Sequence, residues 1–240
     1  MKIAVIGKGN VGTHLCHTFN NMEMDCALVD SRTLNNLPEN VETVIISVSD
    51  SAIAGVAEAL YKRLPGFRGT VAHTAGSVPM DVLAPFFKNY GVLYPLQTFN
   101  RDIPMEDYSD IPFFIEANSE KALNSLRKIA SRVSGRVFDA DSNKRKLLHL
   151  ASVFACNFTN AMYRAGEELL GDAGFSFDVL RPLISLTLLK ALSHSPSVCQ
   201  TGPASRGDKE VMEAHLRMLE DRPDLKDIYR LISDYIISRN

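Results

Sequence analysis

The sequence predicts an α/β protein with two parts: a doubly wound, mostly parallel sheet over residues 1–140, then an all-helical segment over residues 141–240. Three observations carry this expectation. Short apolar, β-branched runs alternate with amphipathic helical patterns up to residue 140. The first such run, residues 3–6, leads directly into G-x-G-x-x-G at Gly7, Gly9 and Gly12. From residue 141 onward only helical periodicity remains.

Four consecutive apolar residues at 3–6 suit a strand buried on both faces. In the turn that follows, Gly7 makes the tight bend, Gly9 lets backbone approach a pyrophosphate, and Gly12 lets the next helix pack closely. Asn10 and Val11 open that helix, whose free N–H groups and dipole suit negative phosphates. Val11, Leu15 and Phe19 give the helical stripe, so the motif has the strand-turn-helix context that dinucleotide binding requires. The plainer reading is a glycine-rich structural turn.

Residues 26–30 read as the second strand, with Ser31 and Arg32 just beyond. An acid at this point favours an unphosphorylated adenosine ribose, whereas a nearby Arg accommodates a 2′-phosphate. Asp30 and Arg32 offer both, and the guanidinium fork with Ser31 tilts the expectation to NADP, with NAD as the alternative. Residues 41–48 form a third parallel strand, which puts Ser47, Val48 and Ser49 at the cofactor edge of the sheet. Ser49 and Asp50 are expected to cap a helix through Ile53, Val56 and Leu60. A fourth strand at 70–73 leads into His73-Thr74-Ala75-Gly76-Ser77. His73 and Thr74 are expected near the nicotinamide and Ser77 near the substrate. A fifth strand at 91–94 is followed by Gln97, a further substrate-binding candidate. Residues 100–110, with Pro104, read as loop. Strands at 113–116 and 137–138 flank a helix around 123–129.

The composition is that of an ordinary soluble globular protein, with 45% hydrophobic and 22% charged residues. A net charge of −2 gives no reason to expect nucleic acid or an anionic membrane as partner. The four cysteines are scattered, without C-x-x-C. They fit reduced thiols in the cytoplasm better than a disulfide frame or a metal site. With the first strand starting at residue 2, no targeting segment is expected ahead of it, and no apolar run reaches membrane-spanning length.

In the helical part, residues 144–170 and 177–194 read as long helices, Asp208 as the N-cap of a third, and residues 224–237 as a fourth. At 100° per residue, Lys146, His149, Val153, Cys156, Asn157, Asn160, Arg164 and Glu167 share one stripe of the first helix. A polar stripe is ordinarily just the wet face. Two amides, a histidine and a cysteine, however, suit hydrogen bonding in a cleft. His149 can move a proton near neutral pH, and Asn157 or Asn160 could hold a carbonyl or imine. Arg206, in the loop at 200–208, could meet an anionic group of the substrate.

These motifs together resemble a family of Rossmann-like NAD(P)-binding proteins of unassigned substrate whose helical C-terminal half is a domain of unknown function. The family is related to 6-phosphogluconate dehydrogenase, ketopantoate reductase, pyrroline-5-carboxylate reductase and deazaflavin-dependent NADP reductases. The resemblance rests on residues 7–12, His73-Thr74-Ala75-Gly76-Ser77, Tyr94-Pro95-Leu96-Gln97-Thr98-Phe99, the helix from His149 to Asn157, and residues 201–208. It implies an oxidoreductase that moves hydride between nicotinamide and a C=O or C=N carbon of a small polar metabolite. The competing expectations are an NAD(P)-binding sensor or structural subunit without turnover, and a binding partner of another reductase. Related hydroxyacid dehydrogenases carry a Lys and an Asn one turn apart on this helix. Here the nearest equivalents are Lys146 and His149, with Asn157 two turns further on. The resemblance also implies a homodimer formed through the C-terminal helices.

Overall fold

The computed structural model describes residues 2–103, 105 and 107–239. Pro104, part of the loop expected at 100–110, lies outside the described residues. The sheet has seven strands: β1 (Lys2–Ile6), β2 (Asp25–Val29), β3 (Thr43–Ile46), β4 (Thr70–His73), β5 (Tyr90–Pro95), β6 (Phe113–Ala117) and β7 (Val137–Asp139). They lie in the order β2-β1-β3-β4-β5-β6-β7. All neighbours are parallel except β5 and β6.

Helices α1 (Asn10–Asn21), α2 (Ile53–Arg63) and α3 (Glu120–Val133) connect these strands. Both faces of the sheet are covered, which is why the central strands are continuously apolar rather than alternating. One core layer joins Ile3, Val5 and Ile45 to Leu15 and Phe19 of α1 and to Leu126 and Ile129 of α3. The other joins Ala4, Ile6 and Ile46 to Ile53, Ala57 and Leu60 of α2. From β1 the chain runs outward through α1 to β2, then returns to place β3 on the other side of β1. This reversal is the topological switch point, where such sheets open a crevice at their carboxyl ends.

Two local expectations need correction. The Ser49 side chain makes no capping bond. A 3₁₀ turn, Asp50–Ala52, leads into α2 instead, and the Asp50 carboxylate accepts from the Ser77 hydroxyl. The long helix expected at 144–170 is helical from Ser142 to Asp172 but not uniformly α. It comprises α4 (Ser142–Ser152), a π-helical segment at Val153–Phe158, and α5 (Thr159–Asp172). A π turn accommodates one extra residue, which shifts the phase of later side chains by roughly 100° relative to an ideal α-helix.

The chain forms two compact units that divide between Asn157 and Phe158, within the π segment. Strand-helix alternation does end at residue 139, but α4 packs with the N-terminal unit, so the division falls later than the expected 140/141. What ties α4 there is Arg145, whose side chain is fully buried. Its guanidinium pairs with Glu116 of β6, and it donates to the carbonyls of Ala75 and Val78 and to the Ser142 hydroxyl.

The C-terminal unit contains α5, α6 (Arg181–Ser193), two short helices α7 (Pro196–Cys199) and α8 (Pro203–Arg206), then α9 (Lys209–Met218) and α10 (Pro223–Ile237). Asp208 caps α9 as expected, accepting from Val211 N at 3.3 Å. Helix α7 follows the helix expected at 177–194, and α8 lies within the loop expected at 200–208. Among the described residues no helix is long and apolar enough to cross a membrane.

Candidate functional site

The glycine turn sits at the switch point, and its three glycines meet different constraints. Gly7 has φ +120°, and a Cβ there would lie 2.0 Å from the Ser47 carbonyl oxygen. A Cβ on Gly12 would lie 2.1 Å from the Gly7 carbonyl oxygen. Both positions are closed by the fold itself. A Cβ on Gly9, by contrast, would meet no protein atom within 4 Å. Its side-chain direction opens into a cavity at the start of α1, where the amides of the first helical turn have no intrahelical acceptor. That is the cradle a pyrophosphate needs.

This cavity, of about 1260 Å³, lies entirely within the N-terminal unit. Its lining includes Gly7, Lys8, Gly9, Asn10 and Val11 from the turn, together with Ser31 and Arg32 beyond β2. The loops after β3 and β4 add Ser47, Val48, Ser49, Asp50, Thr74 and Gly76. Beyond β5 come Gln97, Thr98 and Phe99, and the long helix contributes His149, Ser152, Cys156 and Asn157. Asp30 lies just past the end of β2. Its carboxylate accepts from Arg32 N at 2.9 Å and lies 3.7 Å from Lys8 Nζ. The Arg32 amide, more than the Lys8 charge, holds this carboxyl below its ordinary range. On the cavity floor, Thr74 Oγ1 donates to Ser47 Oγ at 3.2 Å. The loop carrying residues 97–99 is fastened to α1 through His14, which bonds the Tyr108 hydroxyl at 2.6 Å and the Asn100 carbonyl at 2.9 Å.

His149 projects from α4 beside Tyr94 at the end of β5, with Nδ1 3.0 Å from the Tyr94 hydroxyl. Their rings meet edge-on, 6.1 Å between centroids. Gly76 underlies both: a Cβ there would lie 2.8 Å from Tyr94 Cζ and 2.9 Å from His149 Cβ. The Ser152 hydroxyl donates to the His149 carbonyl at 2.7 Å. Burial raises the Tyr94 hydroxyl pKa, so the phenol keeps its proton at neutral pH.

Most of the residues singled out in the sequence line this cavity, but several do not. Gly12 is buried beneath the turn, and Asp30 flanks the cavity without lining it. Ser77 lies outside the lining, bonded to Asp50. Lys146 is exposed and also outside it, because the cavity face of α4 runs through Leu148, His149, Ala151 and Ser152. Asn160 and Arg206 belong to the C-terminal unit, where both are exposed.

His73 is the largest departure. Expected beside the cofactor, it is instead fully buried and absent from the lining. Its Nδ1 accepts from Ala75 N at 3.2 Å and its Nε2 faces the Pro79 carbonyl at 3.3 Å, so both ring nitrogens hold the following loop. Sequence reasoning assigned no role to Lys8, Tyr94, Gly76 or Ser152. Lys8, Gly76 and Tyr94 stand within the motifs at 7–12, 73–77 and 94–99, whereas Ser152 carries no signal of its own.

The fold is that of NAD(P)-dependent oxidoreductases. Residues 111–236 match the family described as Domain of unknown function (DUF2520). The chain belongs to this family. It is similar at 38% identity to a Bacteroides fragilis protein, BF3122, whose structure was assigned provisionally as an NADP oxidoreductase. That likeness covers 99% of this chain and 98% of the other, with a TM-score of 0.88. Protein TM1727 from Thermotoga maritima shares the fold at 22% identity and a TM-score of 0.72, covering 99% and 97% of the two chains. A Streptomyces aurantiacus imine reductase shares it at 16% identity and a TM-score of 0.64, covering 98% and 93%. No curated protein matches the sequence.

The buried His73 has a consequence for stability. Burial, reinforced by the positive charge of Arg145, lowers its pKa to about 4. Between that value and the ordinary imidazole pKa of about 6.5 the unfolded chain binds a proton that the folded chain does not, so stability falls with pH across this window. We expect urea denaturation to show a loss of up to about 3 kcal/mol between pH 7 and pH 4 from this group. His73→Gln should flatten the slope there. An unchanged slope in the variant would show that other groups carry it.

Proposed function

We propose that this protein is an NADP-dependent reductase that transfers hydride between nicotinamide and a C=O or C=N carbon of a small polar metabolite. The observation that carries this reading is that one cavity is lined both by the glycine turn and by proton-bearing groups, Tyr94 and His149, with the Asn157 amide beside them. The opening above Gly9 and the amides of Asn10 and Val11 fit a pyrophosphate. The bound cofactor would supply the hydride, while the protein supplies orientation and the proton. His149 is the proton donor or acceptor, and the Asn157 amide holds the reacting carbonyl or imine. Gln97 is a further substrate contact, with its Oε1 already accepting from Thr98 N at 2.8 Å.

NADP is favoured over NAD by the charges around Asp30. That carboxylate is engaged by the Arg32 amide and faces Lys8, which leaves it poorly placed to take ribose hydroxyls. Lys8 and Arg32 line the cavity as two cations against it, and with Ser31 they suit a 2′-phosphate. Arg32→Ala should therefore weaken NADPH binding at least about tenfold more than NADH binding, a difference of about 1.4 kcal/mol by calorimetry. Equal losses would return the pocket to NAD.

We also propose a homodimer through the C-terminal helices. Helix α6 carries aliphatic side chains around its whole circumference rather than on one face, and Leu183, Leu186, Leu189 and Leu192 are 50–75% exposed in the single chain. A run of exposed leucines of this kind is apolar surface that a second copy would remove from water. Sedimentation should give a dimer, and Leu186→Glu with Leu189→Glu should give monomers; a monomeric parent protein would remove the proposal.

The catalytic reading is tested by following NADPH oxidation with small keto acids, imines and aldehydes. We expect turnover, and for His149→Ala a fall in kcat of about 100-fold or more with NADPH affinity unchanged. NADPH binding without turnover on any of these substrates would favour a sensor or structural subunit.

A further inference from the structure

We propose that Arg101 is a pyrophosphate-binding residue, presented at the start of α1 by a loop that two side chains of that helix fasten down. This deepens the reductase reading and rests on it for the identity of the ligand.

The loop leaves the cavity at Phe99, whose ring lies against that of His14 with 5.1 Å between centroids. The peptide unit between Asn100 and Arg101 is then held by both of its polar atoms. Its carbonyl oxygen accepts from His14 Nε2 at 2.9 Å, and its N–H, that of Arg101, donates to Asn10 Oδ1 at 3.3 Å. Asn10 and His14 stand four residues apart on α1 and so share one face of the helix. A carbonyl can only accept, which puts a hydrogen on His14 Nε2. Nδ1 of the neutral ring is left to accept from the Tyr108 hydroxyl at 2.6 Å. His14 and Tyr108 are both buried. One imidazole thus ties the loop to α1 at residues 100 and 108. What this fastening sets beside the first residue of α1 is a cation.

The fold makes little use of that cation. Among the described residues the Arg101 guanidinium pairs with its chain neighbour Asp102, at 3.8 Å, and both side chains are mostly exposed. Such a pair contributes little. The helix terminus is in the opposite condition. Gly9 stands at the N-cap of α1 with no side chain to offer, and no acid lies in the first turn. The leading amides and the positive end of the dipole therefore have no anion from the protein itself. A pyrophosphate set in the cavity above Gly9 brings two negative charges to this point. Of the lining cations, Lys8 faces the Asp30 carboxylate, and Arg32 stands beyond β2, where it suits a 2′-phosphate. Arg101 hangs from the side chain of Asn10, whose own amide opens the helix, so those amides lie within reach of an extended arginine. Its planar fork suits two phosphate oxygens at once. Ninety-one residues separate Arg101 from Asn10 in the chain, and no sequence motif joins them.

The test is calorimetric titration of the intact protein with NADPH and with NADH, which share the pyrophosphate. Arg101→Gln should weaken both by the same factor, about tenfold at low salt. That loss should shrink as salt screens the charge. Arg101→Lys, which keeps the charge but not the fork, should fall between the parent protein and Arg101→Gln. Undiminished affinity in Arg101→Gln would overturn the proposal and leave the residue a solvated loop cation. A loss confined to NADPH would overturn it too, by putting the guanidinium at the 2′-phosphate. So would equal losses in Arg101→Gln and Arg101→Lys, which would report a disturbed loop rather than a missing charge. A parent protein that binds neither dinucleotide would remove the reductase reading and this inference together. One that binds them, with Arg101→Gln without effect, would remove this inference alone.

Discussion

The buried guanidinium of Arg145 is the constraint on which the site's architecture rests. A fully buried cation is tolerated only when paired and fully hydrogen-bonded. Here the partners come from three directions: Glu116 from β6, the carbonyls of Ala75 and Val78 from the loop after β4, and Ser142 from the start of α4 itself. Satisfying one charge thus fixes a helix, a loop and a strand against one another. Four residues later on the same helix stands His149, and the loop that Arg145 grips includes Gly76, on which His149 and Tyr94 pack. A pair of this kind adds little net stability over an apolar substitute. What it adds here is placement.

His73 complements that arrangement from beneath. Its two ring nitrogens bond the backbone at residues 75 and 79, so the loop is tied down at both ends by one side chain and gripped between them by another. The cavity wall is therefore held by side chains that lie outside its lining. A supporting layer of this kind limits how far the side chains packed on it can shift.

The fold was largely legible in the sequence because its signals are local. Four-residue apolar runs, glycine spacing and Asp208 as a cap each depend on near neighbours in the chain, and the structure has the corresponding strands, turn and cap. The site was less legible because its geometry depends on long-range pairings. His73 looked functional at the end of a central strand, but the pleat turns its side chain into the core. The stripe drawn at 100° per residue included Lys146 and Asn160, whereas the cavity face runs through residues 148, 149, 151 and 152 and then widens at the π segment to take in 155–157. A π turn is set by tertiary packing and leaves no compositional mark. The end of β2 remained ambiguous in sequence because Asp30 and Arg32 point to different partners there; only the turn geometry shows the carboxylate accepting from the Arg32 amide.

The contrast among the three glycines of the turn separates two kinds of evolutionary pressure that sequence motifs merge. At Gly7 and Gly12 the forbidden volume is occupied by the protein's own backbone, so any replacement meets folding quality control before it meets a ligand. At Gly9 that volume is free. A Cβ there meets no atom of the fold within 4 Å. The fold's own packing thus sets no limit on this position, unlike the other two. In a survey of variants scored for protein level, Gly7 and Gly12 would stand out and Gly9 would be silent. The same survey scored for fitness would recover Gly9, and only in conditions where the cell depends on the bound ligand.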